Sequence, residues 1–203
     1  MMATAGYLLW IRPTQQVQAP RAERTSPETA ARLINEFDGS PLATYSLNGA
    51  ILADPAIVRQ AALSSLEAPE MRVRFAAVYA LSLTADPSNR EPLSAVMERE
   101  EDMGLRILAA RALIALGQKE SIPVLVAALP SDEPLPFWNP PEPRWVLAYA
   151  DLNQYTGEDF GFLAAVESGD AAARAAAIEA WQDWWTEVGA DLEWDPSGER
   201  YIP

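Results

Sequence analysis

The chain of 203 residues has no cysteine, no histidine and one lysine, Lys119. Without cysteine there is neither a disulfide framework nor a thiolate nucleophile, and the redox compartment stays open. Without histidine, Ser-His-Asp and Cys-His arrangements and the usual zinc sites drop out together. Lys119 stands in a tight turn after Gly117, a solvated position unsuited to Schiff-base chemistry. Glycine is sparse, and no phosphate loop, nucleophile elbow or dinucleotide fingerprint is present. Positive charge is short too: 15 basic residues stand against 29 acidic ones, for a net charge of −14. Binding a phosphate backbone takes clustered Lys and Arg, so nucleic acid is not an expected partner. The length suits one domain with a proper core.

Long hydrophobic runs are also missing. Met1 to Ile11, MMATAGYLLWI, is apolar but spans only 11 residues, against the roughly 20 that cross a bilayer, and no basic region precedes it as in a secretory signal. It reads as a segment docked on the folded body or a frayed terminus. A third reading is the tail of a membrane anchor, with Trp10 and Arg12 at the interface. Thr14 to Arg24 is polar, carries Pro20 and follows Pro13, and reads as a linker. The organisation expected is therefore 1–25 apolar segment and linker, 26–189 folded body and 190–203 tail.

What is present is a repeat. In Leu105 to Leu129, LRILAARALIALGQKESIPVLVAAL, Ala109, Ala110, Ala112, Leu113 and Leu116 share one helical face. Gly117 stops that helix, and Ser121 is placed to cap a second, with Pro123 in its first turn. Counting from Arg106, the offsets plus three, four, six and seven hold Ala109, Ala110, Ala112 and Leu113. From Arg74 they hold Ala77, Val78, Ala80 and Leu81. From Arg144 they hold Leu147, Ala148, Ala150 and Asp151, and from Arg174 they hold Ala177, Ile178, Ala180 and Trp181. Only Asp151 breaks the apolar rule. Glu70, Asp102 and Asp170 each stand four residues before an arginine, a spacing that allows pairing on one helix face worth about 0.2–0.5 kcal/mol.

The rest of the chain supplies the partners of these helices. Ser26-Pro27-Glu28 starts a helix carrying Leu33, Ile34 and Phe37 until Asp38-Gly39-Ser40 breaks it. Pro41 to Ala53 is ambiguous, with a short helix through Tyr45 and Leu47 ending near Asn48-Gly49. Asp54-Pro55 opens an outer helix, Pro69-Glu70 an inner helix to about Leu83, and Asp86-Pro87 leads into the next outer helix through Leu93, Val96 and Met97. Pro130 to Pro143, PSDEPLPFWNPPEP, departs from the repeat length. Its prolines hold it extended, with Phe137 and Trp138 at its centre. The last helix opens at Asp170 with an aromatic face of Trp181, Trp184 and Trp185, and ADLEWDPSGERYIP after Gly189 has no periodicity, a tail lying on the last helix or partly disordered.

The segments VRFAAVYAL (73–81) and LRILAARAL (105–113), with Ile122, Pro123 and Leu125 opening the next helix, resemble HEAT repeats. The likeness is to the short HEAT-like type also found in phycobilisome lyases. TGEDFGF (156–162) followed by AAAIEAWQDWW (175–185) is similar to the closing unit of bacterial HEAT-domain proteins. The resemblance runs from about Leu52 to Gly189. It implies an all-α fold, a right-handed α-α superhelix of about four to five helical hairpins. It leaves function open, because that family includes scaffolds, chromophore lyases and DNA-repair glycosylases.

The candidate sites follow. Inner helices of such a superhelix form a shallow concave face, where Arg72, Tyr79, Arg111 and Tyr149 are expected as outward protein-binding contacts beside Phe137 and Trp138. The two loop aromatics serve as binding anchors on a stiff loop, or else plug the gap that the insertion leaves. The series Arg74, Arg106, Arg144 and Arg174 reads as structural pairing with local acids and the neighbouring repeat, ahead of a carboxylate-binding surface. Glu98, Glu100, Glu101 and Asp102 read as solvated charge at a helix start and not as a Ca²⁺ or Mg²⁺ site. Asp191, Glu193 and Asp195 alternate like a calcium loop, but Pro196 and Ile202 break the EF-hand pattern. No catalytic residue, metal or cofactor is expected. The reading is a noncatalytic module that binds another protein, as scaffold or accessory subunit of a larger assembly, with membrane association through Met1–Ile11 as the anchor reading of that segment. A tetrapyrrole-holding protein, implied by the resemblance alone, and a hydrolase using two carboxylates are the alternatives.

Overall fold

A computed structural model of the protein describes residues 25–202. Three successive helices open the same way, on a capping side chain followed by proline at the first position, where a missing amide costs nothing. Ser26 Oγ accepts from the Thr29 amide (3.2 Å), Ser40 Oγ from Ala43 (3.2 Å) and Asp54 Oδ1 from Ile57 (3.3 Å). These start α1 (Pro27–Asn35), α2 (Pro41–Ala53) and α3 (Pro55–Ser65). Then follow α4 (Met71–Thr84), α5 (Arg90–Arg99), α6 (Met103–Ala115), α7 (Ile122–Ala128), α8 (Arg144–Thr156), α9 (Phe162–Ser168) and α10 (Ala171–Val188).

Consecutive helices pack as five hairpins, and the inner helices α4, α6 and α8 lie side by side. Ala76, Ala77 and Ala80 of α4 and Ala109, Ala110 and Ala112 of α6 are buried, so two backbones meet over small side chains. The apolar offset plus seven holds Leu81 and Leu113, both fully buried, each worth about 1.5–3 kcal/mol of transfer free energy. The core is continuous from Ala30 to Tyr201. This is the all-α stack of helical hairpins that the repeat predicts.

The ends of α6 and α2 differ in how they obey local rules. Gly117 takes the left-handed conformation (φ 77°). The Gln118 amide donates to Leu113 O (2.9 Å) and the Gly117 amide to Ile114 O (3.1 Å), a Schellman closure. Ser121, in contrast, makes no side-chain cap; its hydroxyl donates back to Gln118 O (2.7 Å) inside a 3-10 turn. Helix α2 does not end at Asn48-Gly49 but runs on to Ala53, because burial of Leu47, Ala50 and Ile51 outweighs the glycine.

The tail is also ordered differently from the sequence expectation. Glu193–Asp195 (β1) and Arg200–Ile202 (β2) pair antiparallel, Trp194 opposite Tyr201. The hairpin lies on the end of α6 and on α8, not on the last helix: a Cβ on Gly117 would meet the Trp194 ring at 2.8 Å, and Lys119 Nζ donates to Ala190 O (2.6 Å) and Leu192 O (3.0 Å). Met1–Ile11 and the linker after it lie outside the described residues. Among the described residues no helix is long and apolar enough to cross a membrane.

Candidate functional site

The arginines of the repeat turn out to serve helix ends. Among the described residues none pairs with the acid four positions before it. Those acids cap instead: Asp102 Oδ1 accepts from the Leu105 amide (3.0 Å) and Asp170 Oδ1 from Ala172 and Ala173 (2.9 and 3.0 Å). Glu70 occupies the same cap position without a side-chain bond. Except for Arg144, the guanidinium groups donate to carbonyls in turns or at helix ends. Arg74 reaches Ala68 O and Pro69 O (both 3.0 Å), Arg106 reaches Met97 O (3.0 Å) and Arg174 reaches Leu129 O (2.9 Å). Arg72 does the same at Asn35 O (2.6 Å) and Arg90 at Leu116 O (2.6 Å). Cations at carbonyl ends are favoured by the helix dipole and by the orphan acceptors there.

Three of the four pair with a carboxylate, which for Arg144 is the sole side-chain partner among the described residues: Arg74 with Glu100 (2.8 Å), Arg144 with Glu133 (2.6 Å) and Arg174 with Asp132 (3.0 Å). Arg74 holds the Glu100 carboxyl below its ordinary value, chiefly through their hydrogen bond. Glu100 and Asp102, two members of the acidic cluster, are thus committed to an ion pair and a helix cap.

The segment Pro130–Pro143 is a strap. It leaves α7, closes on itself where the Leu135 amide donates to Glu142 O (3.0 Å), and returns to α8 where the Arg144 amide donates to Glu133 O (2.8 Å). Its tip is laid over α4 and against the α1–α2 turn. Phe137 meets Phe75 edge-on at 5.7 Å, and Trp138 meets Tyr79 at 6.2 Å. Phe37 stacks on Phe75 and Tyr79 from the other side. Gly39 (φ 78°) touches Phe137 so closely that a Cβ would run into the Phe137 carbonyl. Phe137 itself sits at φ 54°, a conformation that costs a non-glycine residue about 1–2 kcal/mol and that burial of its ring offsets.

Beneath the strap, Arg111 of α6 and Asp151 of α8 form an ion pair through Arg111 Nε and Asp151 Oδ2. Asp151 is 4% exposed. Burial raises its carboxyl above the ordinary value, against the opposing charge and hydrogen bond of Arg111. Nearby Tyr155 is pushed up to about 12, first by burial and then by Asp151. The Arg111 guanidinium also lies over the Trp138 ring, 5.6 Å from its centroid. The residue that breaks the apolar rule is therefore the acceptor for an arginine on the adjacent inner helix.

The six predicted contacts are mostly brought together, though not as outward-pointing groups. Tyr79 is 5% exposed and donates to Asn48 Oδ1 (3.0 Å), and Arg111 is committed to Asp151. Arg72 is half-buried on the end of α1. Tyr149 is half-buried, stacks on Phe162 at 5.3 Å and donates to Asp159 Oδ1 (2.6 Å). Phe137 and Trp138 are half-buried, so the loop aromatics fill the inner face and keep an exposed edge. That edge, with Asp38, Gly39, Ser40, Asn139 and Pro141, borders an open depression of about 340 Å³. A signal for this cover was present: α4 from Val73 to Leu81 is apolar all round apart from Arg74, and such a helix is buried on every side.

Helical hairpins stacked in sequence order, with inner helices adjacent and each hairpin borrowing its neighbour's apolar wall, define an α-solenoid. The sequence model for HEAT repeats matches residues 62–136, from within α3 through α7 into the strap. Residues 62–136 of the chain are thus a HEAT-repeat region. No curated protein and no solved structure matches it.

Proposed function

We propose that the protein is a noncatalytic protein-binding module, a scaffold or accessory subunit of a larger assembly, whose contact surface is the strap tip and the adjoining α1–α2 turn. HEAT repeats are in general protein-interaction scaffolds. The observation that carries the reading is Trp138: clamped between Tyr79 and Arg111, yet with an edge left exposed at the rim of the depression. An aromatic fixed before binding has little entropy left to lose, which is what an interface anchor needs. The absence of histidine and cysteine and the commitment of the buried carboxylate Asp151 to Arg111 favour surface complementarity over chemistry.

The test is affinity capture from native lysate with three baits: the parent chain, Trp138→Ala and Asn139→Arg. Asn139 is exposed, so its change leaves the packing alone. Specific prey lost from both variants, with the melting temperature of Asn139→Arg unchanged, supports the reading. Prey retained by both removes the strap as the anchor. Neither the tetrapyrrole reading nor the two-carboxylate hydrolase gains an observation of its own.

A further inference from the structure

The two ends of the solenoid are finished unequally. The outer face of α10 presents Glu179, Gln182, Asp183, Thr186 and Glu187 to water, as a terminal repeat should. At the other end, α2 has the sequence PLATYSLNGAILA, with no charged residue. Leu47, Ala50 and Ile51 use one of its faces for the core. The opposite face shows Leu42 at 75%, Tyr45 at 78% and Leu52 at 76% exposure. With Gly49 these follow the spacing i, i+3, i+7, i+10, a single stripe along the helix. A Cβ on Gly49 would meet nothing within 4 Å, so the stripe has a notch where another backbone can come close.

Helix α4 likewise carries apolar side chains on more than one face, and there the chain supplies its own cover, the strap. For α2 the chain holds one further apolar, uncharged stretch, Met1–Ile11. We propose that Met1–Ile11 packs along the Leu42, Tyr45 and Leu52 face of α2 in the same chain and so closes the N-terminal end of the solenoid.

Reach, area and concentration select this occupant. Thr25 is buried, and its hydroxyl donates to Ala50 O of α2 (3.4 Å), so the chain enters the fold beside that helix. Residues 12–24 can extend to roughly 45 Å, while α2 is only about 20 Å long. The three exposed side chains of the stripe fall well short of the ~800 Å² per partner that a stable pairing of two copies buries. A tethered segment meets the stripe at an effective concentration in the millimolar range, on the order of a thousandfold above a second copy present at micromolar level.

The absence of cysteine gives a clean test. Leu8→Cys/Leu52→Cys is made in the full chain and oxidised with copper phenanthroline at low micromolar concentration. Leu52 is exposed, so far-UV circular dichroism and melting should match the parent. The expected result is a reducible link within the monomer, joining positions 8 and 52 by mass spectrometry. Adding Leu9→Glu/Ile11→Glu should lower its yield at least tenfold. A Leu8→Cys/Glu187→Cys control, at the far end of the fold, should give less than a tenth of that link. Linked dimers would assign the stripe to a second copy. Equal linking at both positions, or no linking, would overturn the proposal. So would loss of the link on co-sedimentation with phosphatidylcholine/phosphatidylglycerol vesicles, which would make the segment a membrane anchor. None of these outcomes depends on whether the strap binds a partner.

Discussion

Removing one member of the Arg111–Asp151 pair should be far worse than removing both. Asp151→Leu restores the apolar side chain that the repeat rule asks for but leaves the Arg111 guanidinium without its acceptor between α6 and α8. Stranding a buried charge costs about 3–5 kcal/mol, a large share of the ~5–15 kcal/mol that holds a typical domain together. Arg111→Met strands the carboxylate and also takes the cation from the Trp138 face, about 0.5–2 kcal/mol more. The double variant Arg111→Met/Asp151→Leu leaves nothing buried and unpaired, and should lie within about 1–2 kcal/mol of the parent. Acidity separates the single variants. A carboxyl whose folded pKa is raised gives stability that is complete below its unfolded value and declines as pH rises. Arg111→Met should therefore regain stability toward acid pH, while Asp151→Leu, whose stranded group cannot neutralise, should not. Urea unfolding at several pH values gives all four corners of the cycle. Single variants that cost under about 1 kcal/mol, or a double variant equal to their sum, would refute the buried coupling.

Other expectations follow from single sites. Leu113→Ala, fully buried on α6, should cost about 2–5 kcal/mol in urea unfolding; a value near zero would contradict the repeat register. Gly39→Ala puts a Cβ against the Phe137 carbonyl at a positive φ and should cost at least about 2 kcal/mol, with a change in Trp fluorescence as the strap tip shifts. Glu100 sits below its ordinary value of 4.5 because of Arg74. Its contribution is present above that value and disappears as pH falls through the lower folded one, so Glu100→Gln should lose about 1 kcal/mol at pH 7 and converge on the parent in acid melts. Among the described residues the buried Tyr201 hydroxyl has no partner, and its ionisation is pushed up by burial; Tyr201→Phe should leave the melting temperature unchanged or raise it.

Local features could be read from the chain, and features that need a third dimension could not. Ser26-Pro27 and Asp54-Pro55 announce helix starts because cap and proline act within one turn, and the arginine-led offsets place Leu81 and Leu113 in the core through helical geometry alone. The partners of those arginines lie outside their helices, on carbonyls and acids that no i, i+4 rule reaches. Tyr79 and Arg111 were expected to face outward on the assumption that a solenoid's inner face stays open; the strap covers it. The tail hairpin did carry a signal, Asp195-Pro196-Ser197-Gly198 between Glu193-Trp194 and Tyr201-Ile202, a turn flanked by alternating residues. Asp151 was visible as the exception to the rule, and its meaning depended on a cation on another helix.

A linear array in which each unit touches only the next can come apart one unit at a time. The strap changes that connectivity, since Phe137 and Trp138 clasp the first hairpin at Gly39 and the second at Phe75 and Tyr79 from a position after the seventh helix. Loss of any unit between them also undoes the clasp. Mechanically the array behaves as a closed loop, and its early units share one breaking point.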